Sequence, residues 1–295
     1  MNTAARGRAL ITGAGGQVGL ELQATQPDGW AVIACGSAEL DVTDARRVRT
    51  VLERERPTIV IHAAAYTAVD AAESNVERAE AVNAGGTARV AEAAAAVGAR
   101  LLYLSTDFVF DGAAGRPYRT DAEPHPLGVY GRTKLEGERA AVRALGERAV
   151  VLRTAWVYSR HGRNFVRTML RLMREQDHVG VVSDQVGTPT WARSLAGAVW
   201  ALVERPSLHG VFHYTDAGVA SWYDFAVAIQ EEALALGLLD RRTPIRPLAT
   251  ADYPTPARRP SYSVLEKGDS WGALGLVPPH WRVSLRLMLK ELARG

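Results

Sequence analysis

The sequence predicts an α/β fold: a doubly wound parallel sheet with a smaller α/β domain in the second half. Three observations predict it. Short apolar runs alternate with helical stretches as far as about Thr154, the order that builds a parallel sheet from strand–helix–strand units. The first of these runs ends in a glycine-rich turn, Gly13-Ala-Gly-Gly16-Gln-Val-Gly19, and a helical stretch begins directly behind it. Beyond Thr154 the rhythm loses its regularity, which marks a second unit. We divide the chain into 1–155, carrying the parallel sheet, and 156–295, mainly the smaller domain, with some segments returning to the sheet.

Each element follows in order. Ala9–Thr12 reads as the first strand. The spacing Gly13-x-x-Gly16-x-x-Gly19 puts glycines at a tight turn, at a close backbone approach and at a helix–strand contact. A pyrophosphate can then rest on the helix N-terminus, where unpaired N–H groups and the dipole favour anions. A plain glycine turn would read the same way in isolation. Trp30–Cys35 is the second strand. Sites that prefer NAD place Asp or Glu at this strand's end, on the ribose 2′-hydroxyl. Here the strand ends in Cys35-Gly36-Ser37 with no acid, which leaves room for a 2′-phosphate and tilts the reading to NADPH. Asp41 is placed either to touch the adenine end of a dinucleotide or to act as a turn acid, and Asp44 caps the helix that starts at Ala45. Pro57–His62 is the third strand, followed by Ala63-Ala64-Ala65. Small residues at the carboxyl end of a parallel strand let a ligand approach the backbone. His62 reads as a packed strand residue. Glu77–Gly98 reads as one long Ala-rich helix containing Asn83.

The chemistry gathers in the next segment. The apolar run Leu101–Leu104 stops at Ser105-Thr106-Asp107, a Gly/Pro-rich loop follows, and a helix from Gly128 to Leu145 carries Tyr130 and Lys134. Residues four apart share a helix face, and a hydroxyl at the mouth of the strand can meet them. Reducing a ketone needs a proton donor close to the oxygen. A free Tyr has a pKa of about 10, and a neighbouring ammonium favours the phenolate. Tyr130 is therefore expected to donate the proton, with Lys134 lowering its pKa and holding the nicotinamide ribose. Thr106 would orient the carbonyl, and Asp107 would bind substrate hydroxyls or relay protons. A Tyr-x-x-x-Lys pair alone is common on solvated helix faces. The conjunction with a strand-end hydroxyl and a dinucleotide turn is what gives it weight.

After Ala149–Thr154, a strand, the pattern predicts helices over 164–174, 191–204 and 222–237, short strands at 178–182 and 211–214, and a closing helix from Trp281. The Pro-rich stretch 253–260 can be neither regular helix nor sheet.

Composition sets limits. The 295 residues are 47% hydrophobic and 23% charged, ordinary for a globular chain. A net charge of +3 with no Lys/Arg block argues against a nucleic-acid partner. The single cysteine, Cys35, excludes an internal disulfide and a Cys-rich metal site. The first apolar run is too short for a signal-peptide core, and no apolar stretch is long enough to span a membrane. These features lead us to expect a cytoplasmic, membrane-free protein.

With those residues in view, the chain resembles the extended short-chain dehydrogenase/reductases, and within them the dTDP-4-dehydrorhamnose reductase family of the rhamnose pathway. The likeness runs through Gly13–Gly19, Ala63-Ala-Ala-Tyr-Thr-Ala-Val-Asp70, Leu104-Ser-Thr-Asp-Phe-Val-Phe-Asp-Gly112, Val129–Gly137, Arg153–Tyr158, Asn164-Phe-Val, Asp184–Thr190 and Tyr253–Pro260. The last three blocks are the more specific. The resemblance implies a Rossmann domain with a smaller sugar-nucleotide substrate domain, and Thr106, Tyr130 and Lys134 as the catalytic trio. It implies NADPH or NADH contacts at Gly13, Gly16, Gln17, Val18, Asp41, Val42 and Ala63 to Ala65, with Tyr130 and Lys134. It implies a dTDP-linked 4-keto-6-deoxy sugar as substrate, met by Thr67, Val69, Thr106, Asp107 and Trp156, with Asn164 and Arg259 on the diphosphate. Read from its own chemistry, Trp156 is a flat apolar face or a packed core residue. Arg259 is a phosphate fork or a surface residue.

Phe108 stands where the family pattern has Tyr, and His62 where Asn is frequent. Some family members resemble a Mg²⁺-bridged dimer. Glu21 fits one acidic position, but Trp191-Ala-Arg-Ser lacks the second acid and no acidic tail follows, so no metal is expected and the chain is read as a monomer or homodimer. Two other readings stay open. One is a sugar-nucleotide epimerase or dehydratase, although Asp107-Phe108 lacks the second carboxylate a dehydratase needs. The other is a non-catalytic binding protein like the methionine adenosyltransferase regulatory subunit.

Overall fold

The computed structural model describes residues 6–294; the polar start, Met1–Ala5, and Gly295 lie outside it. Six parallel strands form the central sheet. The first three are β1 (Gly7–Thr12), β2 (Trp30–Cys35) and β3 (Ile59–His62). They are connected by α1 (Gln17–Ala24) and α2 (Ala45–Glu55). The Asp44 side chain accepts the Arg47 N–H and caps α2. After β3 come two single turns, α3 (Val69–Ala72) and α4 (Val76–Ala79), then a π-helical turn Glu80–Gly86, and α5 (Thr87–Ala96). The long helix expected over 77–98 therefore forms over 76–96, with a π-helical turn in its first half. Asn83 sits in the wide turn and turns its side chain inward. Its Oδ1 accepts the Tyr66 N–H at 2.8 Å, and its Nδ2 donates to the Tyr66 carbonyl and to the Thr133 hydroxyl, both at 3.1 Å. Single π turns of this kind recur at functional sites.

Then follow β4 (Arg100–Thr106), a 3₁₀ turn Asp107–Val109, α6 (Val129–Leu145) and β5 (Ala149–Thr154). Both sheet faces are covered, which is why these strands read as continuous apolar runs. One face packs on α1 and the later helices, with Ile11, Ile61, Leu102 and Leu152 in that core. The other packs on α2, α5 and α6, with Leu10, Val60, Leu101 and Ala141.

The remainder is made of short pieces: β6 (Val157–Tyr158), α7 (Phe165–Glu175), β7 (Val179–Val182), β8 (Val186–Gly187), β9 (Thr190–Trp191) and α8 (Ala192–Val203). These are followed by β10 (Gly210–His213), β11 (Ala220–Ser221), α9 (Trp222–Ala235), β12 (Ile245–Leu248), α10 (Gly268–Leu274) and α11 (Trp281–Ala293). A second core joins α7, β7, α9 and α11 through Met169, Val181, Phe225, Ile229 and Leu285. Two segments return to the large sheet. α8 packs on α1, and β10 pairs in parallel with β5. The strand order is β10-β5-β4-β3-β1-β2. The order turns around between β1 and β3, and α/β sheets bind ligands outside the carboxyl ends of strands at such a point. No described helix is long and apolar enough to cross a membrane.

Candidate active site

The carboxyl ends of β1, β3, β4 and β5 open into a cleft of about 1020 Å³. Every site residue singled out from the sequence lines it, from Gly13 and Gly16 through Thr106, Tyr130 and Lys134 to Trp156, Asn164 and Arg259.

At its inner wall the turn after β1 touches the loop after β3. Gly13 has φ +67°, and a Cβ there would lie 2.7 Å from the Ala64 nitrogen. A Cβ on Gly19 would lie 2.4 Å from the Gly13 carbonyl oxygen. Larger residues would push the turn off the helix. Gly16 begins α1 with no side-chain cap, so the first-turn amides are left for an anion. Beneath the turn, the Thr12 hydroxyl bonds His62 Nδ1 at 2.6 Å and accepts the Ala64 N–H at 3.2 Å. His62 Nε2 meets the Thr87 hydroxyl at 3.1 Å. Burial pushes the His62 pKa down to about 3, with the Lys134 charge adding to the effect. His62 is thus a neutral strut between loops.

Thr106 ends β4. Its hydroxyl donates to Asp107 Oδ1 at 3.1 Å, accepts the Phe108 N–H at 3.2 Å, and lies near the Tyr130 phenol. Tyr130 enters on the first turn of α6, whose Val129 N–H is held by Glu73 Oε1 at 2.9 Å. Phe108 packs its ring edge-on to Tyr130 at 5.7 Å. One turn on, Lys134 is buried, donates to the Leu104 carbonyl at 2.6 Å and lies 4.1 Å above the Tyr103 ring. Burial pushes Lys134 down to about 7, opposed by the charge of Glu138. Tyr130 is pushed up to about 12 by desolvation; the Thr106 hydrogen bond opposes this and the Asp107 charge adds to it. This reverses the direction expected from the sequence. Burial of the ring sets this direction, and Lys134 spends its hydrogen bond on a strand carbonyl.

Asp107 is buried, and burial raises it to about 6, opposed by the nearby Ser263 hydroxyl and by the Thr106 hydrogen bond. Its Oδ2 has no partner among the described residues. Behind the site, Glu138 on α6 takes a two-pronged ion pair from Arg153 on β5, at 2.7 and 2.9 Å, and the Ser105 hydroxyl. This pair fixes the distance between α6 and the strand ends.

On the outer side, Trp156 adopts φ +49° and stacks on Trp222 with centroids 3.5 Å apart and planes 5° from parallel. Trp156 is both a cleft wall and a packed ring, and Trp222, first residue of α9, was missed because nothing in its local sequence ties it to residue 156. Two other side chains expected on the diphosphate also hold contacts within the protein. The Arg259 guanidinium, read as a phosphate fork, grips Asp70 at 2.7 and 2.9 Å and Thr255 at 2.6 Å. Asn164 caps α7 by accepting the Arg167 N–H, and its Nδ2 donates to Gln17 Oε1 at 2.9 Å and to Ser159 O at 2.7 Å. Its amide is committed within the protein and ties α7 to the glycine turn. Asp41 accepts the Thr43 N–H and hydroxyl, the turn-acid geometry. Thr67 and Val69 line the cleft beside Asp70.

The carboxylate of Glu21 is buried against Arg193 at 2.9 Å, and Arg193 also pairs with Glu291 of α11. Glu291 is an acid the sequence reading overlooked. A guanidinium stands between the two carboxylates. No group of three or more His, Cys, Asp or Glu suited to a metal occurs among the described residues.

A parallel sheet with a glycine turn at its switch point, and a hydroxyl, a phenol and a lysine at the end of β4, defines a Rossmann-type reductase. A model of the family described as RmlD substrate binding domain matches residues 7–294, and the chain belongs to that family. It is 40% identical over 286 residues, 95% of this chain and 97% of the relative, to a dTDP-4-dehydrorhamnose reductase of Aggregatibacter actinomycetemcomitans. A dTDP-4-keto-6-deoxy-D-glucose reductase of Streptomyces niveus is 41% identical over 284 residues, 94% of this chain and 95% of that one. Among solved structures, a dTDP-4-dehydrorhamnose reductase of Bacillus anthracis in complex with NADP superposes with a TM-score of 0.90 at 35% identity, covering 97% of this chain and 99% of that one.

Proposed function

We propose that the protein reduces the 4-keto group of dTDP-4-dehydro-L-rhamnose with a nicotinamide coenzyme, giving dTDP-L-rhamnose. The observation that carries the reading is the meeting of Thr106, Tyr130 and Lys134 in the cleft that also holds the glycine turn. The uncapped start of α1 and the space kept open by Gly13 and Gly19 suit a pyrophosphate. NADPH or NADH, when held there, would supply the hydride.

The chain's own residues do the rest. Thr106 donates to the sugar ketone and orients its oxygen toward Tyr130. Tyr130 is protonated at neutral pH and gives its proton to the developing alkoxide, a stronger base than phenolate. Lys134, in its ammonium form, holds the ribose near the nicotinamide. Asp107 takes a substrate hydroxyl with its free Oδ2. Trp156 and Trp222 form a flat wall for the sugar nucleotide. Gln17, Val18, Val42 and Ala63 to Ala65 shape the coenzyme side. Segments 157–182, 220–248 and 281–293 form the substrate lobe, and the residues before 155, with α8 and β10, form the coenzyme lobe.

The test is a screen of dTDP-, UDP- and GDP-linked 4-keto sugars with each coenzyme, following loss of reduced-nicotinamide absorbance and identifying the product. Turnover of dTDP-4-dehydro-L-rhamnose to the L-rhamnose product is expected. A preference for dTDP-4-keto-6-deoxy-D-glucose, the compound in the Streptomyces relative's name, would move the reading to that sugar. No turnover with any of these, although coenzyme binds, would refute it.

A further inference from the structure

Gln17 opens α1 beside the glycine turn, and Asn164 caps α7 in the substrate lobe. The two side chains meet directly, and the far end of the contact fixes which atom donates. Asn164 Oδ1 takes the Arg167 N–H, so its Nδ2 is the group turned to Gln17, where it donates to Oε1 at 2.9 Å. The Ser159 hydroxyl lies 3.2 Å from the same oxygen. The Gln17 amide is thereby oriented. Its Oε1 belongs to the loop 159–164. Its Nε2 N–H groups are uncommitted among the described residues, at a helix start that suits a pyrophosphate. That loop carries one wall of the cleft. Arg163, one residue before the cap, lines the cleft. Phe165, one residue after it, packs on Trp222 with centroids 4.6 Å apart, and Trp222 stacks on Trp156 at 3.5 Å. A second contact lies one turn along α1, where His161 Nε2 is 3.7 Å from Glu21 Oε1. Gln17 and Glu21 share a helix face, so the loop rests on the helix whose first turn faces the coenzyme.

We propose that Gln17 is a positioning residue that couples the two ligands: a coenzyme pyrophosphate at the start of α1 fixes the Gln17 amide, which fixes Asn164, and Asn164 sets Arg163 and the Phe165–Trp222–Trp156 stack to receive the sugar nucleotide. This rests on the reductase reading above. A hydrogen bond donated from Nε2 to an anion polarises the amide and strengthens Oε1 as an acceptor. The first ligand orders the side chain and the loop, so the second binds to a wall already arranged. The effect is reciprocal, because each ligand must change the affinity of the other by one and the same factor.

The experiment is calorimetric titration of the purified protein with dTDP, which carries the diphosphate but no reducible ketone, with and without saturating NADPH or NADH. The coenzyme is then titrated with and without saturating dTDP. Wild type, Gln17→Met and Asn164→Ser are compared; serine keeps a cap on α7. In wild type each ligand is expected to tighten the other roughly tenfold, by the same factor in both directions. Both variants should bring that factor to about one. A substitution that merely loosened the fold would weaken both affinities and leave their coupling alone. If wild type binds both ligands without coupling, or a folded variant keeps the wild-type factor, Gln17 is not the link. If wild type binds no coenzyme, or binds no dTDP with coenzyme present, the reductase reading fails and takes this inference with it.

Discussion

Replacing Lys134 by Met should make the protein more stable and nearly inactive. The shift of the Lys134 pKa from 10.5 to about 7 comes from burial. At 1.36 kcal/mol per unit this amounts to about 5 kcal/mol against keeping the ammonium charged in its site. Methionine removes that term and fills similar space. It also leaves the Leu104 carbonyl without the donor it has at 2.6 Å, a loss of about 1–3 kcal/mol. The net gain at pH 7 is therefore about 2–4 kcal/mol, or a rise in Tm of roughly 5 °C or more. The pH dependence isolates the cause. Between about 7 and 10.5 the unfolded chain binds the proton that folded Lys134 has released, so wild-type stability rises with pH across that window. Below the folded value the gain is gone. The variant should lose that rise and keep the smaller contributions of other shifted groups, such as Lys267, whose pKa burial pushes down to about 8. Thermal melts of both proteins from pH 6 to 10 make the measurement, with turnover in parallel. Equal or lower Tm in the variant at pH 7, with parallel pH curves, would refute the claim that Lys134 is held at a cost in stability.

Three further outcomes are expected. Tyr130→Phe should lose roughly 10²- to 10⁴-fold in kcat and retain coenzyme affinity, measured by steady-state kinetics and titration. Asp107, raised to about 6 by burial, should give kcat/KM a limb that falls as pH drops through that value, if its ionised form holds the sugar; a pH profile of Asp107→Asn should lack the limb. Arg153→Met strands the buried Glu138 carboxylate and should cost about 3–5 kcal/mol in denaturant unfolding, whereas pairing it with Glu138→Met should recover much of the loss.

The glycine turn, the strand-end Thr106 and the Tyr130/Lys134 pair were legible because each is local. A turn needs its own glycines, and two residues one helical turn apart need no other element to meet. What escaped depends on distant approaches. Trp222 reaches Trp156 only when α9 packs across the cleft. The Asn83 turn hides inside an Ala-rich run because helix propensity carries no trace of one extra residue in the spiral. The partners of Arg259 and Asn164 were hidden for the same reason: Asp70 on one side, and Gln17 and Ser159 on the other, reach them from distant elements. The pKa of Tyr130 also turned on the wall around the ring, which spacing does not encode.

The pairing of β10 with β5 has a practical consequence. The strand that closes this side of the sheet lies more than fifty residues downstream of its neighbour, past a whole series of short elements. A fragment cut near residue 155 would carry the glycine turn and the tyrosine intact, yet leave the backbone of Val150–Arg153 bare along one border. Unpaired strand borders recruit other chains, so such a truncated product should precipitate rather than serve as a minimal coenzyme binder. Engineers wishing to swap sugar specificity should therefore exchange loops within the full-length chain instead of grafting halves.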